Sequence, residues 1–204
     1  MKDQPVIDAM DLAFYRHQGH LTVNGVFAAG EMDALTRDIE EWGASFLAEL
    51  PAEQRAWYGD GGVKARTVLR KLDNPHFHRD AVKAIARDPR LVGLAEQFIG
   101  SGVSVYFSQI FFKAPEGGGP KPAHQDNYYF GPTDIEGVVT AWIALDDATE
   151  ENGCLDFIKG SHKTHTPLTR WPHRVQAEEG EAKVVYVGDA DDSNEETKLP
   201  MAPH

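Results

Sequence analysis

The hydrophobic repeat of this chain changes period once, at Gly100, and that change limits what each half can become. Before it, Met32, Leu35, Ile39, Trp42 and Phe46 recur at spacings of three and four, which places them on one face of an amphipathic helix. A second helical stretch is expected over 80–87. A third is punctuated at both ends: Asp88 caps it, Pro89 occupies its first turn, Leu91, Leu94, Ala95 and Phe98 share a face, and Gly100 stops it. After Gly100 the period is two. Val103, Val105 and Phe107 alternate and lead into Ile110-Phe111-Phe112, and further strands are expected over 138–145, 154–158 and 184–187. Leu21 and Val23 read as a short early strand, and the Gly-Asp-Gly-Gly stretch at 59–62 as a loop. Helices first and strands second predict an α+β chain, mainly β, with a barrel or double-sheet roll behind an N-terminal helical layer. With 204 residues the expectation is one domain, residues 1–100 forming the helical layer and 101–204 the β core.

Charge excludes some classes of partner. Twenty basic against 32 acidic residues give a net charge of −12, which repels phosphate backbones and anionic headgroups, so neither nucleic acid nor a membrane surface is an expected partner. The polar start and the lack of a long apolar run argue against a signal peptide or span. Cys154 is the single cysteine, so no internal disulfide and no cysteine zinc cluster can form, and a reducing cytoplasm is the expected location. The acid-rich run from Glu178 to Glu196 reads as a solvated loop.

Two His-x-Asp tripeptides occur, and with nine His in the chain chance alone readily supplies one. His78-Arg79-Asp80 sits at the start of an expected helix, where an acid faces the positive end of the helix dipole and residues two apart do not share a face. It reads as structural. His124-Gln125-Asp126 follows a Gly/Pro turn in the β-rich half. On a strand its imidazole and carboxylate would project to the same side and converge. One nitrogen and one hard oxygen ligand suit Fe(II) held on one octahedral face by two histidines and a carboxylate, the other face staying open. The tripeptide alone leaves a plain surface strand as the alternative.

Its flanks decide between these. Lys113-Ala114-Pro115, His124-Gln125-Asp126, Ala141-Trp142-Ile143-Ala144-Leu145-Asp146, Glu151-Asn152-Gly153-Cys154-Leu155 and Lys159-Gly160-Ser161-His162-Lys163 occur in that order. The series closely resembles the phytanoyl-CoA dioxygenase family of Fe(II)- and 2-oxoglutarate-dependent oxygenases, as do Phe14-Tyr15-Arg16-His17-Gln18-Gly19 and Asp88-Pro89-Arg90-Leu91. The resemblance implies a double-stranded β-helix (jelly roll) behind N-terminal helices, with iron on His124 and Asp126 and 2-oxoglutarate as cosubstrate. Molecular oxygen and a small organic molecule, hydroxylated at an unactivated C–H, complete the implied reaction. Asp126 favours hydroxylation over halogenation, since related halogenases carry a small residue there. By resemblance Trp142, Arg70 and Tyr106 would contact the cosubstrate; core packing, a surface base and sheet packing are their plain alternatives. Gln109, Lys113, Gln125 and Asn127 could line a substrate pocket or serve the surface. Asn152-Gly153 reads as a tight turn.

The resemblance implies a distal His and a following Arg on late strands, and neither is visible before His204. His162 and His165 belong to the Gly-Ser-His loop, which leaves His173 and His204 as candidates by default. The expectation is therefore a chain lacking the last strands of its roll and incompetent as an oxygenase as written. Its alternative role is that of a truncated or non-catalytic relative that keeps the fold without a complete iron site.

Overall fold

The apolar stripe of the long helix over 29–49 needs a partner, and the partner is a pair of two-stranded antiparallel sheets. The structure, a computed structural model, describes residues 5–61, 67–113, 123–127 and 135–163. Helix α1 (Ala9–Gln18) is capped by Asp8, whose carboxylate accepts from the N–H groups of Met10 and Asp11 at 2.7 and 2.8 Å. It ends at Gly19, whose φ of +91° is the left-handed conformation that glycine takes without penalty. Helix α2 (Ala29–Glu49) carries the expected face: Leu35 and Ile39 are buried, and Met32, Trp42 and Phe46 pack against them. Gly43 brings the helix close to the sheet, since a methyl there would meet Leu69 at 2.8 Å.

Helix α3 (Ala52–Tyr58) runs into β1 (Gly59–Gly61), which pairs antiparallel with β2 (Thr67–Leu69), Gly59 opposite Leu69. After Arg70 comes β3 (Lys71–Asp73), paired antiparallel with β4 (Gln109–Phe111), Leu72 opposite Ile110. Between them lie α4 (Pro75–His78), α5 (Asp80–Ala86) and α6 (Pro89–Ile99). Leu69, Leu72 and Ile110 join Leu35 and Ile39 in one core, and Leu72 is fully buried. On the other face of β3, Lys71 pairs with Asp73 at 3.0 Å, and Gln109 donates to Asp73.

Two charged contacts fix the helices. Arg79 donates through Nε to Asp38 on α2 at 3.0 Å, holding that carboxyl below its usual range against partial burial. Arg90, in the first turn of α6, is buried; its guanidinium reaches Glu31 and Asp88 at 2.7–3.0 Å and the Val26 carbonyl at 3.1 Å, over the Phe27 ring. The expected α6 has its Asp88 cap, its Pro89 and its Gly100 stop.

The strand expectations need correction. Among the described residues of the β-rich half, only Gln109–Phe111 forms a ladder, while 103–107, 138–145 and 154–158, like 21–23, lie outside hydrogen-bonded strands. Alternation determines which side chains face inward, but a ladder also needs a neighbour's N–H and C=O groups. The inward–outward pattern survives only in part: Val139, Ile143 and Leu145 are half-buried and Thr140, Trp142 and Ala144 exposed, but Ala141, on the Val139 side of the alternation, is exposed as well. The loop expected at 59–62 is in part strand β1, because pairing with β2 outweighs the weak strand preference of glycine. Gly100 does not cleanly divide helix from strand, since β3 precedes it and pairs with β4 beyond it. The described residues are helical with two small two-stranded antiparallel sheets; the mainly-β roll is not among their elements. The expected strand at 184–187 and the acidic run lie outside the described residues. Among the described residues no helix is long and apolar enough to cross a membrane.

Leu72→Ala would remove the most deeply buried side chain of this core, and the expected loss is about 2–5 kcal/mol of unfolding free energy in urea titration. A loss under about 1 kcal/mol would contradict this packing.

Candidate metal centre

His124 and Asp126 converge, although not in the way a strand would bring them together. His124 lies in an irregular stretch and Asp126 and Asn127 have helical backbone, so the expected strand is not what brings the two side chains together. Among the described residues no strand pairs with this tripeptide to hold it extended. The convergence itself stands. His124 Nε2 is 3.3 Å from Asp126 Oδ1, and both side chains are a little over one third exposed. The Thr140 hydroxyl donates to the other carboxylate oxygen, Oδ2, at 2.8 Å. The His124 hydrogen bond holds the Asp126 carboxyl below its ordinary value; partial burial opposes this and Thr140 adds to it.

The donor chemistry fits a divalent metal. Adjacent corners of an octahedron with bonds of about 2.2 Å lie about 3.1 Å apart, close to the observed spacing. Both donors are reachable from solvent. Among the described residues no third His, Cys, Asp or Glu completes a cluster with them. His165, His173 and His204 lie outside the described residues. His162 is committed elsewhere: its Nε2 is 3.0 Å from the Arg16 carbonyl at the end of α1.

The motifs that are distant in sequence are hydrogen-bonded to one another. Gln125, between the two ligand candidates, donates through Nε2 to the Ser161 carbonyl of the Gly-Ser-His loop at 2.8 Å. That loop in turn reaches α1, where the Gly160 N–H donates to the Gln18 carbonyl at 2.9 Å. Lys113 donates to the Gly153 carbonyl. Residues 149–154 form the expected turn, with Asn152 Oδ1 accepting from the Thr149 N–H at 2.8 Å. Gln109, Lys113 and Gln125, read from sequence as possible pocket-lining groups, therefore each make a bond that ties segments together.

The three candidate cosubstrate contacts sit on separate segments. Trp142 is 49% exposed and shares an alternating face with Thr140, the residue that touches Asp126. Tyr106 is exposed, in the segment ahead of β4. Arg70 stands between β2 and β3, its N–H donating to the Tyr58 carbonyl and its carbonyl accepting from Phe112, both at 2.8 Å. The second tripeptide is structural: Asp80 is in the first turn of α5, and the His78 ring lies 5.6 Å from that of Trp42. Sequence reading missed Thr140. Its one signal was its place two residues before Trp142, on the same side of the alternation.

Comparison with known proteins adds a pattern of likeness. The family model described as phytanoyl-CoA dioxygenase (PhyH) matches residues 15–203. The chain is 28% identical over 149 residues to a Stutzerimonas stutzeri protein named "Probable alpha-ketoglutarate-dependent hypophosphite dioxygenase", covering 73% of this chain and 51% of that one. It is 30% identical over 213 residues to the peroxisomal phytanoyl-CoA dioxygenase of Bos taurus, covering 98% of this chain and 60% of the relative. With the L-proline trans-4-hydroxylase of Streptomyces griseoviridis it shares 38% over 98 residues, 47% of this chain and 37% of the hydroxylase. The chain thus spans about half the length of these curated relatives.

Because the folded carboxyl of Asp126 lies below its unfolded value of about 3.9, its contribution to stability is complete above that value and is lost as pH falls through the lower folded value. In denaturant titrations the advantage of the parent chain over Asp126→Asn should hold at neutral pH and shrink below about pH 4. A difference unchanged down to about pH 2.5 would contradict the observed hydrogen bonds.

Proposed function

The chain belongs to the phytanoyl-CoA dioxygenase family, and from that premise we propose that it serves as an Fe(II)- and 2-oxoglutarate-dependent dioxygenase that hydroxylates a small organic molecule at an unactivated C–H. The observation that carries the proposal is the 3.3 Å approach of His124 Nε2 to Asp126 Oδ1 within the family's His-x-Asp motif. In this reading those two side chains hold the metal, and the jelly roll expected from the family surrounds it. Bound iron and 2-oxoglutarate supply the oxidising chemistry, the cosubstrate being converted to succinate and CO2 as oxygen is consumed.

The roles left to this chain are binding and orientation. His124 offers a neutral nitrogen and Asp126 an oxygen that its lowered pKa keeps ionised, so one negative charge offsets part of the metal's two. Trp142, Arg70 and Tyr106 are proposed to contact the cosubstrate: Trp142 by its exposed ring beside Thr140, Arg70 by its charge, Tyr106 by its exposed phenol. The relatives' names point to different substrates, so the reading commits to the reaction rather than to one molecule. The net charge of −12 supports substrates that are not strongly anionic, and with the single cysteine it supports a soluble setting in a reducing cytoplasm without nucleic acid or membrane partners.

The test is turnover. The chain is incubated anaerobically with Fe(II) and 2-oxoglutarate, oxygen is admitted, and succinate is followed. Against the sequence expectation of a chain incompetent as written, this reading expects succinate to form, and His124→Ala should lower it by at least about 10–100-fold, the loss typical of disturbing even an outer partner of a metal site. No succinate from the parent chain, or succinate indifferent to His124→Ala, would contradict the proposal.

A further inference from the structure

We infer that Thr140 is a positioning residue for the metal site: it restrains the Asp126 carboxylate so that one oxygen, Oδ1, is presented beside His124 while the other is held back. The inference rests on the reading of His124 and Asp126 as metal ligands. The two carboxylate oxygens have different partners. Oδ1 faces His124 Nε2 at 3.3 Å, whereas Oδ2 accepts the Thr140 hydroxyl at 2.8 Å.

That asymmetry has a chemical consequence. The terminal torsion of an aspartate is broad, so an unrestrained carboxylate can turn and grip a metal with both oxygens. An octahedral centre has six places, and a chelating Asp126 would occupy one more of them, at the expense of the cosubstrate or oxygen. Holding Oδ2 on a hydroxyl favours binding through Oδ1 alone. Threonine suits the task because its β-branched side chain has restricted χ1 freedom, so its hydroxyl is directed in advance.

The anchor for this restraint lies in the core. Thr140 belongs to 138–145, whose Val139 and Ile143 are half-buried and whose Leu145 packs against the central cluster of Leu35, Ile39, Leu69, Leu72 and Ile110. Fourteen residues separate Thr140 from Asp126, so the contact joins two motifs. Gln125 fixes the same tripeptide from the other side through the Ser161 carbonyl at 2.8 Å. The ligand candidates are thus braced by one side-chain bond to each of two neighbouring segments.

The experiment is a titration of the metal-free 204-residue chain with Mn(II), followed by loss of the six-line electron paramagnetic resonance signal of the free aqua ion. Thr140→Val keeps the shape and removes the donor; it should weaken Mn(II) binding by about 10–100-fold, while Thr140→Ser, which keeps the hydroxyl, should stay close to the parent. Thermal melts of the metal-free variants check that each folds. Thr140→Val binding as tightly as the parent, or Thr140→Ser losing as much as Thr140→Val while both fold, overturns the role of the hydroxyl. His124→Ala separates the two levels. If it binds Mn(II) as well as the parent, or if the parent binds none, the ligand reading fails and the inference falls with it.

Discussion

The segment from Thr67 to Asp73 carries two short strands, β2 and β3, and changes its pairing partner between them at Arg70. The Arg70 N–H donates toward Tyr58, ahead of β1, and its carbonyl accepts from Phe112, beyond β4. On a regular strand Leu69 and Leu72, three apart, would point to opposite faces. The break at Arg70 lets both enter one core, where they meet Leu35 and Ile39 of α2 and Ile110 of β4. The segments on which the candidate site depends are positioned from this cluster: Phe112 and Leu145 pack against it, one just before Lys113 and the other five residues after Thr140.

Two further ties link the site to the helical layer. The Gly-Ser-His loop sits against the end of α1, where a methyl on Gly19 would come within 2.4 Å of His162 Nδ1. The same loop receives the Gln125 side chain. Segments recognisable in sequence as motifs are therefore contact surfaces for one another: the α1 end with the Gly-Ser-His loop, that loop with the His-x-Asp tripeptide, and Lys113 with the Asn-Gly turn. Several of their polar side chains are engaged in holding this arrangement: Gln125 on the Ser161 carbonyl, Lys113 on the Gly153 carbonyl and His162 on the Arg16 carbonyl.

How much of this was legible in the sequence depended on how local its cause is. Helix faces follow from spacing along one segment, and the Leu35–Ile39 face and the Asp88–Pro89–Gly100 punctuation of α6 were read correctly. Strands depend on a partner elsewhere in the chain, so alternation at 138–145 revealed in part which side chains turn inward (Val139, Ile143 and Leu145, but not Ala141) and suggested a ladder that the described residues do not form. The burial of Arg90 was not legible either, because its partners Glu31 and Val26 lie about sixty residues earlier. At the site, chemistry was more legible than geometry. The residue types and the ordered motifs singled out His124 and Asp126; the strand invoked to bring them together is not formed there, and they meet where an irregular stretch passes into helical backbone. Thr140 was passed over because a threonine hydroxyl carries no pattern until its acceptor is seen.

The central claim is that His124 and Asp126 form a metal-binding pair. The most direct measurement is X-ray diffraction from crystals of the chain soaked with Mn(II) and 2-oxoglutarate, collected for anomalous signal. The account predicts one strong anomalous peak about 2.0–2.3 Å from both His124 Nε2 and Asp126 Oδ1, with 2-oxoglutarate beside it. A well-ordered His124–Asp126 pair with no peak between its donors, or a peak bound elsewhere on the chain, would contradict it.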